Sequence, residues 1–239
     1  MEAILSRQSF LDRRIRALIG AVVISALAAL LVALFSTDAA VEGGLAARLA
    51  VPGRMLLLVA VATLLLHPGE GWRSVGLRAR QSAWRAVFLI VCGYLAVGAA
   101  LALVTQLLLP TLGRAPDTAA TFAGLQGNLG EYLYWLIPVA WGSAAIGEEL
   151  VFRGFLQTRL ESIIGSGAGA TALAAIGQAV VFGSLHAYQG LGGAILAGVT
   201  GLIIGLVYVA GRRNLWTCII LHGLIDTVGL TAIYLGMTG

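Results

Sequence analysis

Glu148, Glu149, Arg153, His186, His222 and Asp226 are polar side chains set inside long apolar runs in the second half of a 239-residue chain. A charge near the middle of a bilayer costs roughly 2.5–3.5 kcal/mol on insertion scales, so residues of this kind mark a functional site by default. Spacing sorts them. Glu149 and Arg153 are four apart, which on a helix places them on one face in the order that favours an ion pair. Glu148 points about 100° away from Glu149 and is free to address another helix, as a working carboxylate would. His222 and Asp226 are also four apart, as are Phe182 and His186. A Glu, two His and an Asp from three helices are a sufficient set for activating water.

The elements that must carry these residues are membrane spans. The chain is 59% hydrophobic and 11% charged, against about 25% charged for a soluble domain, which excludes a water-soluble globule. Lysine is absent, and the 15 positive charges are all Arg. They cluster beside apolar runs, which points to membrane topology and away from a nucleic-acid partner. Two cysteines, Cys92 and Cys218, offer neither a disulfide framework nor a Cys-based zinc site.

A spanning helix needs about 20 mainly apolar residues. Seven segments approach this: 17–35, 49–66, 86–109, 133–158, 170–189, 194–210 and 215–235. The second is the weakest, because reaching span length takes in Pro52 and Arg54. With the N-terminus in the cytoplasm, the inside segments hold Arg7, Arg13, Arg14, Arg16, Arg73, Arg78, Arg80, Arg85, Arg159, Arg212 and Arg213. The outside loops hold Arg48, Arg54 and Arg114. That asymmetry predicts seven crossings with the C-terminus outside. The first run is too long for a cleaved signal, and Asp38 suits the cleavage position of Asp38-Ala39-Ala40 poorly, so it reads as an uncleaved span. The expected architecture is an all-α, polytopic transmembrane helix bundle of seven to eight spans with the active site inside it. It forms a single integral membrane domain, with three spans in 1–132 and a four-span core in 133–239.

Depth tests the grouping. At about 1.5 Å per residue, Glu148 lies about 16 Å from Arg159, and His222 about 14 Å from Arg213. His186 lies about 26 Å from Gly169, about two turns deeper. An interfacial or re-entrant segment over 155–173 would relieve that mismatch, with the fifth span starting later. Gly193, Ala197, Gly201 and Gly205 recur every four residues and read as a packing stripe on the sixth span. His67 reads as an interfacial loop histidine, and Trp72, Trp84, Tyr132, Tyr134 and Trp135 as an interfacial belt.

The segments Glu148-Glu149-Leu150-Val151-Phe152-Arg153, Phe182-Gly183-Ser184-Leu185-His186 and His222-Gly223-Leu224-Ile225-Asp226 together resemble the CPBP family of intramembrane proteases. This group is also called the CAAX-protease and self-immunity (Abi) family. Its signature is Glu-Glu-x-x-x-Arg, Phe-x-x-x-His and His-x-x-x-Asn or Asp on successive helices. The resemblance covers 133 to about 230. It implies an endopeptidase that cleaves membrane-associated or lipidated polypeptides. Glu148 would be the base that activates water, His186 would position that water, and Glu149, Arg153 and Phe182 would support them. His222 and Asp226 fall to metal ligation in one account and to oxyanion stabilisation in another. The first implies Zn2+ held by His186, His222 and Asp226, and the second a metal-free, glutamate-dependent mechanism. Asp226 stands where the prenyl-protein branch carries Asn, and an ionised Asp cannot donate to an oxyanion, which favours the metal account.

Two other classes compete. A non-catalytic immunity or scaffold protein would use the same motifs to hold helices together, and a proton-coupled transporter would use them to relay protons. The all-Arg basic complement and short loops suggest a prokaryotic inner membrane.

Overall fold

The computed structural model describes residues 2–34, 44–77, 82–112 and 121–237, with the backbone alone at 2–10 and at Leu112. Arg78, Arg80, Arg114 and the Asp38-Ala39-Ala40 boundary lie outside the described residues, and so does the side chain of Arg7. No strand occurs among the described residues. Seven long helices do: α1 (Glu2–Leu34), α2 (Leu45–Leu64), α3 (83–112), α4 (129–164), α5 (Ala168–Ser184), α6 (Gly190–Ala210) and α7 (Leu215–Tyr234). The central stretch of α4, Trp135–Gln157, is wound wide with i→i+5 hydrogen bonds. The fold is the expected all-helical bundle.

Apolar side chains point outward as well as inward, as a bilayer requires. Trp84, Val87, Phe88, Val91 and Leu95 of α3 are all exposed. Leu11–Leu34, Leu45–Leu64, Ala83–Thr111, Ala187–Ala210 and Leu215–Tyr234 are each long and apolar enough to cross a membrane. The second span, weakest in the sequence, is among them. α5 has only 17 residues, and α4 carries the site charges, so neither meets that criterion alone.

The helices alternate between two ends. At one end Arg14 Nε donates to Ile163 O at 3.1 Å, Arg159 pairs with Glu70, and Arg213 pairs with Glu161 at 2.7 Å. There too Arg85 donates to Ala210 O at 2.8 Å, and Leu215 N to Gly76 O at 3.0 Å. At the other end Arg48 pairs with Glu131 at 2.8 Å, Tyr132 bonds Thr231 at 2.9 Å, and Gly127 N donates to Tyr234 O at 3.0 Å. Among the described residues arginine therefore concentrates at one end of the bundle.

Two boundaries differ from expectation. α4 continues to Ile164 and turns at Gly165 (φ 130) and Gly167 (φ 104), where L side chains are rarely tolerated, straight into α5. No re-entrant segment forms over 155–173. α5 ends at Ser184 and not at Gln189, so His186 lies just beyond the helix, at the head of a tight turn into α6. The depth mismatch is resolved by register. α4 and α5 are antiparallel, and Phe152 meets Phe182 edge-on at 5.0 Å. Glu148 lies four residues before Phe152 and His186 four after Phe182, so both sit about one turn beyond the same contact.

The glycine stripe packs as expected. A Cβ on Gly201 would stand 3.0 Å from Phe182, one on Gly205 2.7 Å from the Gln178 amide, and one on Gly183 2.5 Å from Ala194 O. Small residues let α5 and α6 approach closely, which carries Phe182 in against α4.

Candidate active site

The site is organised around one buried oxygen. Glu149 Oε1 accepts from Arg153 Nη1 at 2.8 Å and from His222 Nδ1 at 2.7 Å, and both Glu149 and Arg153 are 0% exposed. Arg153 Nη2 also donates to Gly201 O at 3.1 Å, and its guanidinium lies 5.0 Å over the Phe182 ring. The pair predicted from i,i+4 spacing is present. The link from Glu149 to α7 is not visible in spacing, because it runs between helices 73 residues apart.

That link fixes His222. A carboxylate held by Arg is acceptor-only, so Nδ1 carries a proton and Nε2 faces away from Glu149. Nε2 lies 4.0 Å from Glu148 Oε2 and 3.8 Å from Asp226 Oδ2, close but beyond hydrogen-bond reach. Glu148 (18% exposed) and Asp226 (29%) thus flank the outer edge of a buried imidazole. α7 is seated against α4 by Trp141, whose indole donates to Thr227 at 3.1 Å. Gly223 makes room, since a Cβ there would lie 2.7 Å from the Trp141 ring.

His186 is fixed the same way. Its Nδ1 lies 2.9 Å from Phe182 O, and a carbonyl only accepts, so Nδ1 donates and Nε2 of the neutral ring is an acceptor. Phe182 touches both imidazoles, at 4.7 Å for His186 and 6.5 Å for His222. A cavity of about 40 Å3 contains Glu148 and His186 together, walled by Leu31 of α1, Met55 of α2, Phe152 and Phe182. Water needs about 10–15 Å3 by this measure, so the space suits water and excludes a peptide.

All seven predicted site residues therefore fall in one region, in two parts that meet at Glu148. His186 shares the cavity with Glu148, while His222 and Asp226 approach Glu148 from α7. Among the described residues no three His, Cys, Asp or Glu side chains are placed to hold a metal ion. The donor set expected for zinc, His186, His222 and Asp226, is not gathered at one point, and the residues as arranged do not fit the ion. Sequence reading missed Arg54 and Tyr188, which line the cavity, and the buried Gln157 and Gln178. Gln178 donates to Gly201 O at 2.9 Å beside Arg153. Intramembrane polarity, the signal that picked out Glu148, applies equally to the two glutamines.

An all-helical bundle whose apolar helices are long enough to cross a membrane, with a carboxylate and an imidazole on one small cavity, defines the class: an integral membrane protein with polar side chains gathered among its helices. Residues 130–228 match the family described as "Type II CAAX prenyl endopeptidase Rce1-like". That stretch is an Rce1-like domain, consistent with the CPBP family of intramembrane proteases, and the match suggests intramembrane endopeptidase activity. No curated protein and no solved structure matches the chain.

Proposed function

We propose that the chain is a glutamate-dependent intramembrane endopeptidase acting on membrane-associated or lipidated polypeptides. Carrying this reading is the juxtaposition on one water-sized cavity of Glu148 and of His186, whose Nδ1 is held by Phe182 O so that Nε2 is left as the acceptor. Two acceptors take the two O–H groups of one water and leave its lone pairs directed at a substrate carbonyl. Glu148 removes a proton as the water oxygen attacks, and then delivers it to the departing amine. His222, with Nδ1 held by Glu149, presents Nε2 toward the same centre. Protonated there, it donates to the developing oxyanion, and Asp226 balances its charge. An ionised Asp226 is acceptor-only, so the oxyanion role falls to His222 and not to Asp226.

A peptide reaches Glu148 by parting α1 and α2 from the α5–α6 turn, which also gives a lipid-anchored substrate lateral entry. The arginine-rich end of the bundle supports an orientation with that end, and the N-terminus, in the cytoplasm.

The test is a mass-spectrometric survey of new protein termini in membranes holding equal amounts of wild type or the near-isosteric Glu148→Gln variant. Termini should appear only with wild type. If Glu148→Gln produces the same termini, or wild type produces none despite good membrane-protein coverage, the protease reading fails and the scaffold reading takes its place.

A further inference from the structure

At the arginine-rich end, outside the stretch that matches the family, a cavity of about 430 Å3 opens between α1 and the α2–α3 connection. Its walls are Asp12, Arg13 and Arg16 of α1, and His67, Pro68 and Glu70 of the connection. The size lies within the range of ligand sites. Arg16 is three residues from Arg13 and four from Asp12, so on the helix it neighbours both. Arg14, one position on, is turned the other way and donates to Ile163 O at the end of α4.

The electrostatics of the cavity are positive. Glu70 is already engaged, paired with Arg159 and accepting the His67 backbone N–H at 3.1 Å. Burial alone would raise the Glu70 carboxyl, but the Arg159 hydrogen bond and the His67 contact hold it below its ordinary value, so it stays ionised and satisfied. Among the described residues that line the cavity, Asp12 is the other acid beside Arg13 and Arg16. Burial, followed by the charge of Arg159, lowers the His67 imidazole; Glu70 opposes this, while Arg16 and Arg13 add to it. His67 is thus a neutral ring in a cationic surround, with a hydrogen-bond donor to offer. Arg16 makes no ion pair among the described residues.

Position adds the second argument. The uncharged apolar run of α1 begins at Ala17, directly after Arg13 and Arg16, so both stand where that helix enters the bilayer, at headgroup level. Basic pockets between helices at that depth receive lipid phosphates.

We infer that the cavity formed by Arg13, Arg16 and His67 binds a phosphate-bearing anion, supplied by the headgroup of an anionic phospholipid. Two guanidiniums take the phosphate oxygens and the neutral imidazole adds a hydrogen bond. The bound headgroup ties α1 to the α2–α3 connection, whose far end anchors α7 through Gly76 and Leu215.

The test is native mass spectrometry of the full chain released from nanodiscs of phosphatidylglycerol or phosphatidylcholine. Wild type should retain one phosphatidylglycerol and no phosphatidylcholine. At roughly fivefold per basic residue near an anionic surface, Arg13→Gln/Arg16→Gln should weaken retention about 30-fold. Asp12→Asn should strengthen it, which keeps the proposal testable if the double variant folds poorly. Arg73→Gln/Arg212→Gln removes the same charge from exposed positions at the same end and should change retention far less. Inorganic phosphate, added to phosphatidylcholine discs, separates the sources. If it stabilises wild type but not the Arg13/Arg16 variant, while phosphatidylglycerol is not retained, the cavity takes a soluble phosphate and the lipid assignment is overturned. Equal loss in both double variants, or retention of neither lipid nor phosphate, overturns the site.

Discussion

Glu149 holds two partners with one oxygen, and a pair of variants can separate its structural from its catalytic part. Glu149→Gln leaves Arg153 buried at 0% exposure without a counter-charge, a loss of about 3–5 kcal/mol in stability by the usual cost of breaking a buried pair. Replacing both partners, as Glu149→Gln/Arg153→Met, removes the charge and the need for it together, so stability should return to within about 1–2 kcal/mol of wild type. Met fits the replaced stem against Phe182, and Gly201 O keeps the Gln178 amide as donor at 2.9 Å. Activity should not return. His222 Nδ1 has lost the carboxylate 2.7 Å away that fixed its tautomer and aim, and the loss of such an orienting partner costs about 10–100-fold. The assay is thermal unfolding in detergent beside cleavage of a substrate found in the terminus survey. A double variant that regained both stability and cleavage to within twofold would refute the reasoning, because Glu149 would then serve Arg153 alone.

Further outcomes follow from the same geometry. Gly223→Ala puts a Cβ 2.7 Å from the Trp141 ring; pushing α7 from α4 should cost about 1–3 kcal/mol, read by thermal unfolding, and should lower kcat by moving His222 away from Glu148. Phe182→Ala removes the ring packed on Phe152, Arg153, His186 and His222, and should cost about 3–5 kcal/mol of stability. Cleavage by the purified protein should survive exhaustive dialysis against a chelator, and abolition reversed by zinc would overturn the metal-free reading of the site. Acid should loosen the arginine-rich end. Glu70 and His67 are both lowered in the folded state, so their stabilisation is complete above their unfolded values. It is lost below about pH 6.5 for His67 and below about pH 4.5 for Glu70. Hydrogen exchange across residues 65–77 as a function of pH would show this, and protection unchanged down to pH 4 would contradict it.

Composition, periodicity and the placement of charge determined the membrane class, the helical architecture and which polar side chains lie inside the apolar runs. These are local properties: a span is apolar over its own length, and a charge inside it is costly wherever it points. The three motifs on separate helices named the family for the same reason, since each motif lies within one or two turns. Partnership was decided only by the tertiary structure. Glu149 reaches His222 because α7 packs on α4 where Gly223 admits Trp141. His186 is level with Glu148 because α4 and α5 are antiparallel about the contact of Phe152 with Phe182. The zinc set drawn from the motifs did not assemble, because helical spacing says which residues share a face and nothing of which faces meet. Side-chain type and spacing are encoded one helix at a time, whereas the distance between two helices is set by every residue packed between them.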